Sequence, residues 1–408
     1  MTEWTDPETF GRLVDATTTL ETGHYADFFE EGDVIEHDPG LTLSRWGAEQ
    51  WTGQTLNHDP TYWRSDRASE NGYDEPPIHP DYVLAATLGV TVCDLSEKGG
   101  YFLGRTDVRF HRDVYPGTEL RVESRVLSVD ESRSRPSYSI VTWRTTGTDA
   151  VTGDALCSYE RTNMIPRREP VRTDDPTDSG ADTDESTVDR NGSTDESMDE
   201  STDDPTGSSD DSADESTVDD GPTGPFVAPD GPYFEDLVEA LETASDRGGH
   251  VAYTHERGRT IDDVTVAALP LSTLNTAKQH HNADAMADAP SGDVVAYGDV
   301  TRSIALGHAR SDEATYRELG FDDERFHAFV TPGDTIYGFT RVLEAVDDTA
   351  SDRPATEPAA EFAGAVPDDR AGIVRFEHVA FNQAEEPVYS GFRTAAIRKR
   401  ATHHSQTI

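Results

Sequence analysis

The pattern of apolar positions divides much of the chain into strand-rich regions, the first of which is interrupted by one apolar helix. Short runs rich in β-branched and aromatic residues, bounded by Gly, Pro and Asp turns, predict strands at residues 34–37, 121–127, 139–143 and 155–159. A continuous apolar run at residues 82–90 follows a proline-rich loop and predicts a buried helix. One helix embedded in an antiparallel run predicts an α+β fold in which the sheet wraps the helix.

The same pattern predicts the domain organisation. Near the N-terminus Phe10, Leu13 and Val14 fall on one helical face. Residues 171–225 contain no aromatic residue and are rich in Asp, Ser, Thr, Gly and Pro, so they cannot bury enough apolar area to offset the entropy of ordering. We therefore predict a helical lead-in, a first domain, a disordered acidic linker and a second domain, at residues 1–24, 25–170, 171–225 and 226–408.

The second domain repeats the first. At an offset of 216, residues 109–127 match residues 325–343 at nine of nineteen positions. At an offset of 218, the Thr-Leu-Asn run at residues 55–57 recurs at residues 273–275. Two copies are too few for a solenoid. They predict duplicated domains that pack as a pseudo-dimer, in which one sheet can continue into the other.

The two copies differ at a pair of polar positions. The second copy has Asn275 and, five residues later, His280, whereas the first copy has Asn57 but Tyr62 in place of the histidine. A neutral imidazole, with an ordinary pKa of about 6.5, can take a proton from water and return it. A tyrosine, with an ordinary pKa of about 10, cannot do so near neutral pH. The difference predicts a single water-handling site, in the second copy.

The residues around this pair resemble a known family. The run Asn-Thr-Ala-Lys-x-His at residues 275–280, with Tyr297 and Gly298 opening a helix, resembles the mesaconyl-CoA (2-methylfumaryl-CoA) hydratases. These belong to the MaoC-like, hydratase-2 group of hot dog folds. Residues 107–117 and 330–335 are similar to the same family, and the resemblance covers nearly the whole chain outside the predicted linker. It implies a tandem (double) hot dog fold, in which each copy is an antiparallel sheet around a central helix.

The resemblance also implies an activity and the residues that carry it. The expected enzyme is a hydro-lyase that reversibly adds water to 2-methylfumaryl-CoA to give β-methylmalyl-CoA. Asn275 is expected to orient the water, His280 to transfer the proton, and the backbone N–H at Gly298 to polarise the thioester oxygen. Expected substrate contacts are Lys278, His281, Tyr297 and Arg302.

Two positions depart from the family pattern. Asn275 stands where the broad hydratase-2 motif has Asp, and an amide cannot accept a proton at neutral pH, so proton transfer falls to His280. The helix opens with Tyr297, Gly298 and then Asp299, where related hydratases tend to have Tyr-Gly-Gly-His. This chain therefore lacks the residues for any role that the histidine and the second glycine perform in those relatives.

Other readings of the same residues stay open at this point. One keeps the fold but makes the protein a general trans-2-enoyl-CoA hydratase, and another makes it a non-catalytic acyl-CoA-binding double hot dog protein. A zinc site from His280, His281 and Asp284 is conceivable, but adjacent histidines rarely converge on one ion and no cysteine joins them. We therefore expect neither a metal nor a cofactor.

Composition adds information about partners and environment. The net charge is -46, the pI is about 4.4, and Lys98, Lys278 and Lys399 are the lysines of the chain. Such a surface repels nucleic acid and anionic membranes. No apolar run approaches the roughly 18 residues of a membrane span, and Cys93 and Cys157 lack CxxC spacing. The sequence predicts a cytoplasmic protein, with a CoA thioester as its partner and possible assembly into a homo-oligomer.

The acidic surface also predicts dependence on salt. Self-repulsion between so many carboxylates destabilises the folded chain unless counterions screen it, as in proteins of halophilic organisms. We expect the melting temperature to rise as KCl is increased from dilute buffer to molar concentrations. Thermal unfolding followed across this range tests the expectation, and a melting temperature that is highest in dilute buffer would refute it.

Overall fold

The computed structural model describes residues 6–18, 20–133, 135–169, 224–347, 362 and 369–400. The predicted linker at 171–225 lies outside these ranges except for its last two positions. The elements of the first half are α1 (Pro7–Ala16), β1 (Val34–Leu43), α2 (Arg45–Gln54), α3 (Ser65–Glu70), α4 (Pro80–Leu95), β2 (Tyr101–Phe110), β3 (Thr118–Glu131), β4 (Tyr138–Asp149) and β5 (Ala155–Pro166).

The second half contains a similar series, preceded by one short strand and one amphipathic helix. Its elements are β6 (Phe226–Val227), α5 (Phe234–Asp246), β7 (His250–Thr260), α6 (Asp263–Ser272), α7 (Ala283–Met286), α8 (Gly298–Ser311), β8 (Thr315–Phe326), β9 (Thr335–Val346), β10 (Ala371–Phe381) and β11 (Pro387–Arg398). None of the helices in the described ranges combines the length and the apolar character needed to span a membrane.

The strands of the described residues form one eleven-stranded sheet. Its order is β1-β3-β4-β5-β2-β8-β11-β10-β9-β7-β6, so the two halves repeat the same internal order and meet edge to edge. At the junction β2 and β8 pair antiparallel, with Val108 opposite Phe321. Buried and more exposed positions alternate along β3 and β4, which turns one face of the sheet toward the helices. The sheet therefore continues from one copy into the other, as the duplication predicts.

Each copy places one long, buried helix against this sheet. The apolar run predicted as a helix lies within α4, where almost every residue is buried. Pro80 occupies the first helical position, which suits its fixed φ and its missing N–H. The counterpart α8 is more polar, and yet twelve of its residues from Asp299 to Arg310 are buried. Polar side chains in α8 must therefore find partners inside the protein.

A buried histidine bridge recurs at equivalent positions in both copies. The Nδ1 of His37 lies 2.7 Å from the Asp94 carboxylate, and its Nε2 lies 2.9 Å from the Ser124 hydroxyl. The corresponding side chains of the second half, with distances of 2.6 and 2.8 Å, are His255, Asp312 and Thr340. Because the arrangement occurs twice and ties the end of each central helix to the sheet, we assign it a structural role.

The two halves also exchange a contact between a glycine and a backbone carbonyl. A Cβ built on Gly89, in α4, would lie 2.2 Å from the carbonyl oxygen of Thr273. A Cβ on Gly307, in α8, would lie 2.2 Å from the carbonyl oxygen of Thr55. The Thr-Leu-Asn segment of each copy therefore packs on the central helix of the other. The first copy thus positions the segment that contains Asn275.

Adding a methyl group at either glycine should destabilise the protein. Gly307→Ala and Gly89→Ala are each expected to lower the free energy of unfolding by about 3 kcal/mol, at the upper end of overpacking effects, because a carbonyl cannot move aside cheaply. This clash outweighs the helix-propensity gain of about 1 kcal/mol. The control is Gly53→Ala in α2, where the nearest side-chain atom is 3.6 Å away. Urea unfolding measures all three, and equal effects would contradict the packing argument.

A buried histidine of α8 makes stability depend on pH. Burial lowers the pKa of His308 to about 4, whereas its unfolded pKa is about 6.5. Below about pH 6.5 the unfolded chain binds a proton that the folded chain refuses, so stability falls by up to about 1.4 kcal/mol per pH unit as the pH drops toward 4. The equivalent first-copy residue is Val90. His308→Val should reduce the slope of this dependence in urea unfolding between pH 7 and 5, with other buried histidines such as His280 supplying the remainder, and parallel curves for the two proteins would contradict it.

Candidate active site

The imidazole of His280 is buried and held in one tautomer. His280 ends a 3-10 turn, Lys278–His280, and is 3% exposed. Its Nδ1 lies 2.8 Å from the carbonyl oxygen of Val295, which can only accept, so Nδ1 carries the proton and donates it. Burial lowers the pKa of His280 to about 4. At neutral pH the ring is therefore uncharged, and Nε2, which lies 3.5 Å from the side-chain amide nitrogen of Gln279, carries the lone pair that can accept a proton.

The carboxamide of Asn275 is fixed by the backbone of the same segment. Its Oδ1 accepts a hydrogen bond from the backbone N–H of Ala277 at 3.1 Å, and the backbone N–H of Asn275 donates to the carbonyl of Pro270 at 3.0 Å. Leu274, immediately before it, has a φ of 60°, a conformation that strains a branched side chain. With Oδ1 used in this way, the amide nitrogen remains to donate a hydrogen bond. Asn275 can hold a water by donation while His280 accepts from it.

The N-terminus of α8 has no side-chain cap. Tyr297 is the N-cap residue, and it makes no capping hydrogen bond. Its hydroxyl instead donates to the carbonyl of Ala85 in α4 at 3.1 Å, and its ring lies 5.6 Å from the His280 ring. The N–H groups of Gly298 and Asp299 are in the first turn, where the helix offers no acceptor and the dipole is positive. This end of the helix can therefore stabilise negative charge.

Close packing explains the glycine at this position. A Cβ on Gly298 would lie 2.9 Å from the ring of Phe326. The next residue, Asp299, would oppose an anion at the helix end, but its carboxylate is paired with Arg105 at 2.7 Å. Arg105 comes from β2, so the first copy neutralises the acidic residue beside the candidate site of the second. The sequence reasoning missed this pair, because nothing in the spacing connects two residues so far apart.

The first copy lacks both elements of this chemistry. Tyr62 replaces the base, and Pro80, which has no N–H, stands where Gly298 does. In addition, the side chain of His79, the residue equivalent to Tyr297, caps α4 by accepting from the N–H of Asp81 at 3.1 Å. The tyrosine and histidine positions are thus exchanged between the copies. The first copy therefore has no imidazole at the position of His280, and the first two residues of α4 offer no free N–H group.

A cavity of about 330 Å³ lies at this first-copy position. Its lining includes Tyr62, Ile78, Pro80 and Phe110, together with Arg317 and Glu318 of the second half. Burial raises the pKa of Tyr62 well above its ordinary value. The tyrosine therefore stays protonated and cannot act as the base that His280 provides in the second copy, although His111 and Glu318 also line this cavity.

The remaining predicted substrate contacts fall in two different environments. Lys278 and His281 are exposed, and His281 Nε2 lies 3.0 Å from the carbonyl of Thr276. Arg302 is fully buried and bonds Asp81 and Glu324 at 2.8 and 2.5 Å. The structure thus gives Arg302 a role in packing, and we do not retain it as a substrate contact.

Arg302 belongs to a chain of buried ion pairs that runs between the two copies. Burial alone would raise the pKa of Glu318, but Arg310 and Arg393 outweigh it and lower this pKa to about 2. The members of the chain, in order of contact, are Asp299, Arg105, Glu324, Arg302, Asp81, Arg310, Glu318, Arg393 and Glu313. These partners explain how polar residues of α8 can be buried.

The zinc alternative is not supported by the arrangement of its residues. His280 is buried, whereas His281 and Asp284 are exposed. Across the described part of the chain, no group of three or more His, Cys, Asp or Glu side chains is placed to hold a metal ion.

Comparison with known proteins identifies the family. A sequence model described as mesaconyl-CoA hydratase matches residues 3–399. A curated relative from Haloarcula hispanica, named mesaconyl-CoA hydratase, is 54% identical over 98% of this chain and 99% of its own length. The chain belongs to the mesaconyl-CoA hydratase family. The family predicted from the run at residues 275–280 is confirmed.

Solved structures show the same fold at low sequence identity. A MaoC domain protein from Chloroflexus aurantiacus, 18% identical, gives a TM-score of 0.65 and covers 94% of this chain and 100% of its own. A Mycobacterium tuberculosis protein with a double hotdog fold, 19% identical, gives 0.59 and covers 92% and 98%. The predicted tandem hot dog fold is therefore confirmed, and at these identities the likeness concerns the fold alone.

Proposed function

We propose that the protein is a hydro-lyase that reversibly adds water to 2-methylfumaryl-CoA, giving β-methylmalyl-CoA. Its family membership supports the substrate, since the relative from Haloarcula hispanica carries the name mesaconyl-CoA hydratase over nearly its full length. The observation that carries the assignment of the site is the coincidence, in the second copy, of a neutral His280 and an uncapped helix N-terminus at Gly298.

The proposed reaction needs one base and one anion-stabilising donor. Asn275 donates to the water oxygen, and His280 Nε2 takes a proton from the water as its oxygen bonds to Cβ of the thioester. Electrons of the double bond move to the thioester oxygen, where the N–H of Gly298 stabilises the enolate. The imidazolium then returns its proton to Cα. The proton taken from water thus ends on the product, and no other reactant is required.

Several finer assignments belong to the same proposal. Residues 25–170 form a hot dog domain without a base, and residues 226–408 form the catalytic one. Lys278 and His281, which are exposed and adjoin His280 in the sequence, contact the phosphates of the CoA group in this proposal, by charge and hydrogen bonding. The protein acts in the cytoplasm, where CoA thioesters are available, and it can assemble into a homo-oligomer.

A spectrophotometric assay separates the three readings of the sequence. Loss of the enoyl-thioester absorbance is followed with mesaconyl-CoA, with crotonyl-CoA and without substrate. The proposal predicts loss with mesaconyl-CoA at a higher kcat/KM than with crotonyl-CoA. Loss with crotonyl-CoA alone selects a general enoyl-CoA hydratase, and loss with neither selects a binding protein. Either of these two results rejects the proposal.

A further inference from the structure

A buried arginine of the first copy has no acidic partner. Arg161, in β5, is 1% exposed, and no carboxylate of the described residues forms an ion pair with it. Its Nε has no hydrogen-bond partner, its Nη2 lies 3.5 Å from the Ser96 hydroxyl, and its guanidinium packs 5.3 Å from the Trp143 ring. Burial lowers the pKa of Arg161, but a guanidinium remains charged. An uncompensated buried cation is costly and calls for an anion.

The second copy shows which acidic partners an arginine has at the equivalent position. His111 bonds Ser158, and its counterpart His327 bonds Ser390, so the two serines are equivalent positions. Three residues after each serine stands an arginine, which makes Arg161 the counterpart of Arg393. Arg393 is satisfied by Glu313 and Glu318 at 2.8 Å each. The first-copy counterparts of those carboxylates, at offsets of 218 and 216, are Leu95 and Phe102. The first copy keeps the cation and has replaced both of its anionic partners.

The register of the sheet places Arg161 on the side of the candidate active site. Arg161 is directly opposite Arg105 across the β2–β5 pair, so both side chains lie on the same face of the sheet. Arg105 reaches the carboxylate of Asp299, the residue after Gly298. Arg161 is also close enough to Tyr297 to interact with it electrostatically. Arg161 thus lies on the same face of the sheet as the arginine that pairs with Asp299, one residue from Gly298.

Several buried polar atoms next to Arg161 also lack hydrogen-bond partners. Buried polar atoms without partners surround it on β4 and β5, namely Trp143 Nε1, Tyr159 Oη and Asn163 Oδ1. Asn163 is opposite Phe102, whose ring lies 5.2 Å from the ring of Phe326, the residue that packs on Gly298. Satisfied cores rarely leave several such atoms together. These atoms offer hydrogen-bonding groups suited to a polar ligand.

We propose that Arg161 forms a buried subsite for the free carboxylate of the substrate. The inference rests on the proposed function, because 2-methylfumaryl-CoA carries such a carboxylate, bonded to the Cβ that receives the water. A guanidinium binds a carboxylate with two parallel hydrogen bonds and supplies the missing charge. A thioester without this group leaves the cation unpaired and is rejected. Arg161 is thereby a specificity-determining residue that the first copy contributes to the site of the second.

The test uses two saturated thioesters that cannot be hydrated, so that binding is measured apart from activity. 2-Methylsuccinyl-CoA keeps the carboxylate, and 2-methylbutyryl-CoA has a methyl group in its place. Calorimetry on the full-length protein should give a preference of about 10- to 100-fold for 2-methylsuccinyl-CoA. Arg161→Leu should bring this ratio to about one, and Arg161→Lys, which keeps the charge without the planar fork, should give an intermediate value.

Stability provides the control against a structural role. Arg393→Leu leaves Glu313 without its ion-pair partner and Glu318 with Arg310 alone, so it is expected to lower the melting temperature strongly. Arg161→Leu removes an unpaired charge and is not expected to do so. If Arg161→Leu does not fold, Arg161→Gln carries the same comparison, and loss of folding in both variants makes Arg161 structural and overturns the subsite. An unchanged ratio in Arg161→Leu, or no preference in the wild type, also overturns it. Wild-type hydration of mesaconyl-CoA together with an unchanged ratio rejects the subsite alone, and absence of hydration rejects the proposed function.

Discussion

Replacing His280 with glutamine is expected to lower kcat for the hydration of mesaconyl-CoA by about 10²- to 10⁴-fold, the usual contribution of a general acid–base group. Glutamine has a similar volume, and its amide can still donate to the carbonyl of Val295, so the segment should keep its conformation. It cannot take a proton from water at neutral pH. Initial rates at saturating substrate measure the loss, and circular dichroism verifies that the variant is folded.

The first copy provides the matched control. Tyr62 occupies the position equivalent to His280, and Tyr62→Phe removes only its hydroxyl, so kcat should stay within about twofold of the wild type if only one copy has a base. Because burial lowers the pKa of His280 to about 4, kcat/KM should stay constant from pH 8 to 6 rather than fall near the ordinary histidine pKa. Comparable losses in the two variants would refute a single catalytic site.

The duplication explains why the fold could be predicted from this sequence. The repeats around residues 109–127 and 325–343 carry the Pro-Gly turns and the strand pattern twice, so the two regions constrain each other. The difference between Tyr62 and His280 was also visible without a structure, since it needs only the alignment of the copies. Both inferences use local pattern, which the sequence contains directly.

What could not be predicted depends on contacts between distant parts of the chain. Arg302 was expected to contact the substrate, but in the structure it is buried and paired with Asp81 and Glu324, partners that only helix packing brings together. Arg161 was missed because what distinguishes it is the lack of an acidic partner. That lack can be recognised only when the register of β5 is known. Aligning Ser158 with Ser390 would have paired Arg161 with Arg393 and offered a signal.

The capping difference between the central helices also required coordinates. Nothing in the sequence distinguishes His79 from any other residue before a proline. Only the structure shows that its imidazole accepts a hydrogen bond from the N–H of Asp81. Tyr297, at the same position in the second copy, directs its hydroxyl to the carbonyl of Ala85 and leaves the helix end open. Two differences, His79 against Tyr297 and Pro80 against Gly298, therefore separate a capped helix terminus from an uncapped one.

The role of this helix end can be tested by removing the backbone N–H group of residue 298. Gly298→Pro installs the residue that the first copy already has at the start of α4, where proline suits the helix but has no N–H. Any added side chain also meets the ring of Phe326, so Gly298→Ala, which keeps the N–H, measures that steric effect. The proline variant should lose a further 10²- to 10³-fold or so in kcat relative to the alanine variant, as when one oxyanion donor is deleted.

The comparison of these two variants isolates the donor, because both carry a Cβ against Phe326 and only one lacks the N–H. Their melting temperatures should be similar, since proline is favourable at the first helical position. Binding of the saturated thioester 2-methylsuccinyl-CoA should differ little between them, because the donor acts mainly on the charge that develops in the transition state. If the proline variant is as active as the alanine variant, the N–H of Gly298 does not stabilise the enolate, and another donor must be sought at this helix end.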